Sequence, residues 1–182
     1  MLAFWAEESN PQHKRTYLRQ ELKGEWTEYS YREVYLRVKE MAAALSAAGL
    51  KGQNVAILSR NCAEWVIADF AILMSGAISV PILPGYSLDN LGKLIERAQL
   101  KAIFCGKLDN WSQIQKVIPP SVSLISFDAF KCEGCLSWNS FLSSNPNLDF
   151  VAPHREESEL ATITFTSGST GTPKGYCIVW ER

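Results

Sequence analysis

Four short apolar runs recur through the middle of the chain and set what it can fold into: "NVAIL" (54–58), "ISVPI" (78–82), "AIFC" (102–105) and "VSLIS" (122–126). Each is too short to be a buried helix and suits a strand covered on both sides. Between them the apolar spacing switches to the helical period. Asn61, with Glu64 three residues on, starts a helix that runs to about Ser75. Ser87 caps a helix carrying Leu91, Leu94, Ile95 and Ala98, and a further helix covers about 108–117. "LSWNSFLSS" (136–144) is a last short helix. Strands alternating with helices of this length predict an α/β fold, with right-handed crossovers and a parallel sheet that has helices on both faces.

An N-terminal β-hairpin precedes the series. Residues 16–30 alternate around Lys23-Gly24. Ser30 and Glu33 then have capping-box spacing, and Val34, Val38, Met41 and Leu45 share one face of a helix over 31–48, with Gly49 ending it. After the series, "SNPNLDFVAPHREESE" (144–159) is polar with two prolines and has the character of a linker, His154 included. "ATITFT" (161–166) is a further strand.

Composition removes several classes. The 182 residues are 47% hydrophobic and 20% charged, with 18 basic and 19 acidic side chains, as in ordinary globular domains. No basic stripe suits nucleic acid. The stretch 65–85 is nearly apolar and long enough to span a bilayer, but Asp69, Ser75-Gly76, Pro81 and Pro84 divide it. It divides into buried helix, tight turn and buried strand. The first fifteen residues lack an apolar core of signal-peptide length. Five cysteines form no secreted framework, which predicts a reducing, cytoplasmic setting.

The strand at 161–166 feeds "TSGSTGTPKG" (166–175), a loop of glycines, hydroxyls and one lysine. Glycine lets backbone N–H groups turn tightly around an anion, and successive N–H groups form a nest. The hydroxyls of Thr166, Ser167, Ser169 and Thr170 can donate to phosphate oxygens, and Lys174 adds charge. A flexible Gly/Ser linker is the plain alternative, against which stand the preceding strand and Pro173-Lys174-Gly175. The spacing is neither a Walker A loop, which needs Gly-Lys-Ser/Thr, nor a dinucleotide fingerprint.

At these residues the chain resembles the adenylate-forming superfamily: acyl-CoA synthetases, peptide-synthetase adenylation domains and luciferases. "TSGSTGTPKG" is similar to that superfamily's phosphate loop at each fixed position, and "GAISVPILP" (76–84) resembles its Gly-Ala-x-x-Val-Pro-x-x-Pro segment. "LKGQNVAILSRNCAEWVIADFAIL" (50–73) resembles long-chain fatty-acid CoA ligases in particular, and the hairpin and helix at 16–48 resemble the superfamily's opening. The resemblance implies ATP- and Mg²⁺-dependent activation of a fatty acid to an acyl-adenylate, then transfer to coenzyme A. It implies that Thr166, Ser167, Gly168, Ser169, Thr170, Gly171, Thr172, Pro173, Lys174 and Gly175 hold the β- and γ-phosphates, with no catalytic or metal-binding residue in this stretch. It also implies peripheral association with a membrane, where a long-chain substrate would be supplied.

Two departures qualify it. "PGY" (84–86) departs where relatives usually have Thr after this Pro, and "YCIVWER" (176–182) favours strand over the helix that usually follows the loop. Against the superfamily's pattern the chain is expected to be an incomplete N-terminal large domain, inactive alone and prone to self-association through uncovered apolar surface. Other candidates are minor. Cys132 and Cys135 have the spacing of half a metal or redox site but are expected in a solvent-facing loop. Asp69, the one acid within an apolar helix, is expected on a partly exposed face.

Overall fold

The computed structural model describes residues 3, 6, 7, 9–167 and 173–179. Strands β1 (Thr16–Leu22) and β2 (Glu25–Ser30) form the expected hairpin. Its turn places Lys23 at φ 55° and Gly24 at φ 87°, the double left-handed conformation that matches strand twist. Helix α1 (Tyr31–Ala47) starts at Ser30 with both halves of the capping box made. The Ser30 hydroxyl accepts from the Glu33 amide at 3.2 Å, and the Glu33 carboxylate accepts from the Ser30 amide at 2.7 Å. Gly49 follows at φ 74°, where a side chain would be strained.

The alternating series then runs β3 (Asn54–Leu58), α2 (Ala63–Met74), β4 (Ile78–Ile82), α3 (Leu88–Arg97) and β5 (Ala102–Cys105). It continues with α4 (Trp111–Ile114) and a 3₁₀ turn (Gln115–Val117), shorter than the helix expected over 108–117, then β6 (Ser123–Ser126) and β7 (Leu136–Ser137). Helix α5 (Trp138–Ser144) precedes the last pair, β8 (Leu160–Ser167) and β9 (Pro173–Val179). The seven-stranded sheet is ordered β7-β6-β5-β3-β4-β8-β9. All its pairings are parallel except β8 with β9, which is antiparallel.

Strand alternation divides the core in two. Val55, Ile57, Ala102, Phe104 and Ile125 point to the face covered by α1, α2 and α5. Ala56, Leu58, Ile103, Cys105, Val80 and Ile82 point to the face covered by α3 and the 3₁₀ turn. On the first face Phe104, Phe127 and Trp138 pack with centroids 5.6–6.2 Å apart, tying α5 to the centre of the sheet. Each such ring, fully buried, contributes about 2–3 kcal/mol before entropy is counted. The apolar stretch 65–85 resolves into α2, a turn with Gly76 at φ 81°, and β4. No helix among the described residues is long and apolar enough to cross a membrane.

Between α5 and β8 the chain passes from one end of the sheet to the other. His154 is exposed on this stretch, but its neighbour Arg155 is buried. The Arg155 guanidinium donates to the carbonyls of Ala77 (3.2 Å) and Leu160 (3.1 Å), and at 3.5 Å to those of Leu73 and Gly76. One cation thus joins the α2–β4 turn to the start of β8.

Candidate functional site

Strands β4 and β8 are neighbours whose continuing chains leave in opposite directions. From β4 the chain crosses back over β3 to β5, whereas from β8 it turns outward to β9. Parallel sheets bind ligands beyond the carboxyl ends of strands at such a divergence. The loop singled out by its sequence is flanked by the end of β8 and the start of β9, which stand there. Its residues Gly168, Ser169, Thr170, Gly171 and Thr172 lie outside the described residues, and the flanking ones define its mouth. Thr166 stands opposite Lys174 and Ser167 opposite Pro173 in an antiparallel ladder. Pro173, Lys174 and Gly175, expected within the loop, belong to β9 instead. Opposed residues share a face, so the exposed Thr166 and Lys174 side chains lie side by side at the strand ends.

Gly175 has a packing role besides. A Cβ there would come within 3.2 Å of Phe165 Cε1 and 3.5 Å of Ile163 Cγ2. The missing side chain leaves room for the Phe165 ring, which packs onto the α3-side core. Tyr86, the last residue of "PGY", is also engaged: its hydroxyl donates to the Phe165 carbonyl at 3.2 Å. That bond ties the β4–α3 loop to β8, one residue before the loop mouth. Beside it lies a cleft of about 460 Å³ lined by Leu83, Tyr86, Leu88 and Gln113, with the Arg60–Asp109 ion pair at its rim.

The two acids of α2 belong elsewhere. Asp69 is half-buried and accepts from the Ser79 hydroxyl at 2.5 Å; burial pushes its carboxyl up, and the Ser79 bond opposes that. Ser79 pairs with Thr162, four residues below Thr166, so Asp69 lies about 13 Å from the loop mouth along the strand. Glu64 does not pair with Asn61. The helix starts instead at Cys62, whose side chain makes no capping bond. The Ala63 amide donates to Gln20 Oε1 of the hairpin at 2.7 Å. Glu64 is buried, and its Oε1 accepts from the Asp128 and Ala129 amides at 3.0 and 3.3 Å. Burial raises its pKa, against the partial relief of those two amides and Arg37. Neither Gln20 nor the role of Glu64 was visible in the sequence, because both partners are distant along the chain.

The Cys132–Cys135 turn exposes Glu133 and Gly134, as expected of a solvent-facing loop, but its cysteines turn inward. Cys132 is buried, with its thiol directed to the Gly106 carbonyl at 3.6 Å. Hydrogen bonding to the Cys105 thiol, followed by burial, pushes Cys135 up to about 12, while Cys132 is raised by its bond to Cys135 and by burial. These thiols stay protonated at neutral pH, unlike reactive cysteines. Among the described residues no group of three or more His, Cys, Asp or Glu side chains is placed to hold a metal ion.

Fold and sequence together define a parallel α/β domain of the adenylation type. The chain belongs to the AMP-binding enzyme family, whose model matches residues 5–179. It is 28% identical over 170 residues to long chain acyl-CoA synthetase 5 of Arabidopsis thaliana, covering 85% of this chain and 25% of that protein. It is 32% identical over 168 residues to surfactin synthase subunit 2 of Bacillus subtilis, covering 92% of this chain and 4% of that one. The anthranilate CoA ligase AuaEII, solved with anthranoyl-AMP, superposes with a TM-score of 0.79 at 21% identity, over 98% of this chain and 34% of its own. The chain thus spans about a quarter of the acyl-CoA synthetase it matches.

Proposed function

We propose that the chain supplies the phosphate-holding part of an ATP-dependent ligase that converts a long-chain fatty acid to its acyl-adenylate and then to acyl-CoA. The observation carrying this is the ladder that sets Lys174 beside Thr166 at the divergence of β4 and β8, under a loop whose fixed positions match the family's. Thr166, Ser167, Gly168, Ser169, Thr170, Gly171, Thr172, Pro173, Lys174 and Gly175 are assigned to the β- and γ-phosphates of ATP. Bound ATP supplies the adenylyl group and a pyrophosphate leaving group. Backbone amides and hydroxyls of the loop orient the phosphates. Lys174, held at a strand end rather than on a free loop, neutralises charge that develops on the leaving oxygens. Mg²⁺ and coenzyme A are expected from the family; no step is assigned through either. The long-chain choice rests on residues 50–84 and on relatives of that kind. A peptide synthetase among the relatives makes other carboxylic acids the natural comparison. Peripheral association with a membrane follows from the long-chain substrate alone.

The share of its relatives that the chain covers favours a second reading: phosphate binding without turnover by these 182 residues. One experiment separates the two. Exchange of labelled pyrophosphate into ATP is measured with a panel of carboxylic acids, alongside direct binding of pyrophosphate. Exchange that requires a long-chain acid supports the ligase, and Lys174→Ala should lower it by roughly 10²-fold. Binding weakened by Lys174→Ala, with no exchange, supports the second reading. Neither exchange nor binding defeats both.

A further inference from the structure

Strand β8 is held to the rest of the sheet unevenly along its length. Arg155 bonds its first residue, and one pair, Ser79 with Thr162, joins it to β4. Counting on from that pair, Pro81 stands level with Thr164, and Ile82, the last residue of β4, stands level with Phe165. Proline has no N–H to give a neighbouring strand. Among the described residues the ladder between the two strands has no pair beyond Thr162. The Tyr86 hydroxyl supplies a donor further on, to the Phe165 carbonyl at 3.2 Å. The short connection 83–86 that carries it runs from the end of β4 to Ser87, which caps α3 by accepting from the Asn90 amide at 3.3 Å. Anchored at both ends, it is a firm support for the hydroxyl. The Tyr86 ring packs against the α3-side core, as Ile163 and Phe165 do.

We propose that Tyr86 is a positioning residue for the phosphate loop: through the Phe165 carbonyl it fixes where Thr166 and Lys174 stand. That carbonyl and the Thr166 amide belong to one planar peptide unit, so holding the oxygen orients the residue that opens the loop. Thr166 is paired with Lys174, which carries the constraint across to β9. Donors and charges already in place favour an anion more than mobile ones, because less ordering is left for binding to do. Arg155 does not fill this role, since it bonds Leu160 at the opposite end of β8. The proposal rests on the phosphate role assigned to the loop above, and adds to it a residue that acts through another.

Tyr86→Phe removes the hydroxyl and keeps the ring. The test measures pyrophosphate binding to the 182-residue chain by titration calorimetry, with urea unfolding alongside. Phe165-Thr166 is the single Phe-Thr step in the sequence, so ¹³C-carbonyl Phe with ¹⁵N-Thr gives one amide resonance for the loop mouth. In wild type that resonance should shift as pyrophosphate is added. In Tyr86→Phe it should start from a different position, and the Kd for pyrophosphate should rise about three- to tenfold, the effect of one lost hydrogen bond. A purely structural tyrosine would lower the urea midpoint and leave the affinity of the folded chain alone. Wild-type binding with unchanged affinity in Tyr86→Phe therefore overturns the proposal and leaves the phosphate reading standing. So does a Phe165-Thr166 resonance that the substitution does not move. No binding by the wild type defeats the phosphate reading, and this proposal with it. If Tyr86→Phe fails to fold by circular dichroism, Gly85→Ala decides on the same readouts. A Cβ at Gly85 meets no atom within 4 Å, but the φ of 126° leading into Tyr86 is strained for alanine.

Discussion

Glu64 has the environment furthest from what its neighbours in sequence suggest. Two backbone amides share one of its oxygens, while Oε2 is buried without a hydrogen-bond partner. Burial raises its pKa, so the fold holds the proton more tightly than the unfolded chain does. Stability from this group is therefore full below the unfolded value of about 4.3 and falls as pH rises through the higher folded one. Asp69 acts in the same direction, and Glu33, lowered mainly by the Ser30 amide, acts in the opposite one. The Glu64 share is isolated by difference. Glu64→Gln should gain stability relative to wild type between pH 4 and 7 in urea unfolding, with parallel curves counting against a buried, raised carboxyl. Gly106 is a second single-residue constraint. A Cβ there would overlap the Phe127 ring and come 2.6 Å from Ser59 Oγ. Gly106→Ala should destabilise by about 1–3 kcal/mol, read from the urea midpoint. The sequence did not reveal either position: a lone Glu after Asn has a local capping reading, and the contacts that override it lie 64 residues away.

Helix starts show what was and was not legible. Ser30, Ser87 and Ser137 cap from within their own segments, accepting from the amides of Glu33, Asn90 and Ser140. Local capping depends on spacing alone, so Ser30 and Ser87 could be assigned from the sequence. Helix α2 is capped from outside by Gln20, 43 residues earlier, and spacing carries no trace of that. The same contrast runs through the candidate site. The loop's composition and the strand before it were readable, because glycine and hydroxyl patterns are local. That Pro173–Gly175 would join a return strand depended on pairing with β8, and Tyr86's bond to the Phe165 carbonyl depended on the neighbouring crossover. The capping contrast is measurable. Gln20→Ala should cost about 1 kcal/mol, as a lost N-cap does, and should speed amide exchange in the first turn of α2. Asn61→Ala, at the position expected to cap, should leave both nearly unchanged. Equal effects of the two would return the cap to Asn61.

At the scale of the molecule, the strand that carries the candidate site is the last to join a sheet whose other parallel strands are already in sequence order around β3. The chain reaches β8 only by passing from the β7 edge to the far side of β4. A crossing of that length pays loop-closure entropy, and β4 offers β8 a short pairing, Ser79 with Thr162. Arg155 offsets this by bonding both sides of the junction, Ala77 at the start of β4 and Leu160 at the start of β8, from a buried position. Its planar fork reaches several carbonyls at once, which a lysine ammonium on a single stem cannot reproduce. Arg155→Ala would leave those carbonyls without their donor, and a loss of about 3 kcal/mol is expected in urea unfolding. Arg155→Lys should recover only part of it. The effect should also be regional. Amides of Leu160–Phe165 should exchange faster in Arg155→Ala, whereas β3 and β5, held by pairing on both sides, should keep their protection until global unfolding. Pyrophosphate binding should weaken with them, because Thr166 lies on β8, the strand that Arg155 holds in place, and Lys174 of β9 is paired to it. Uniformly faster exchange across all strands would instead make Arg155 a general contributor to stability, with no particular hold on the site.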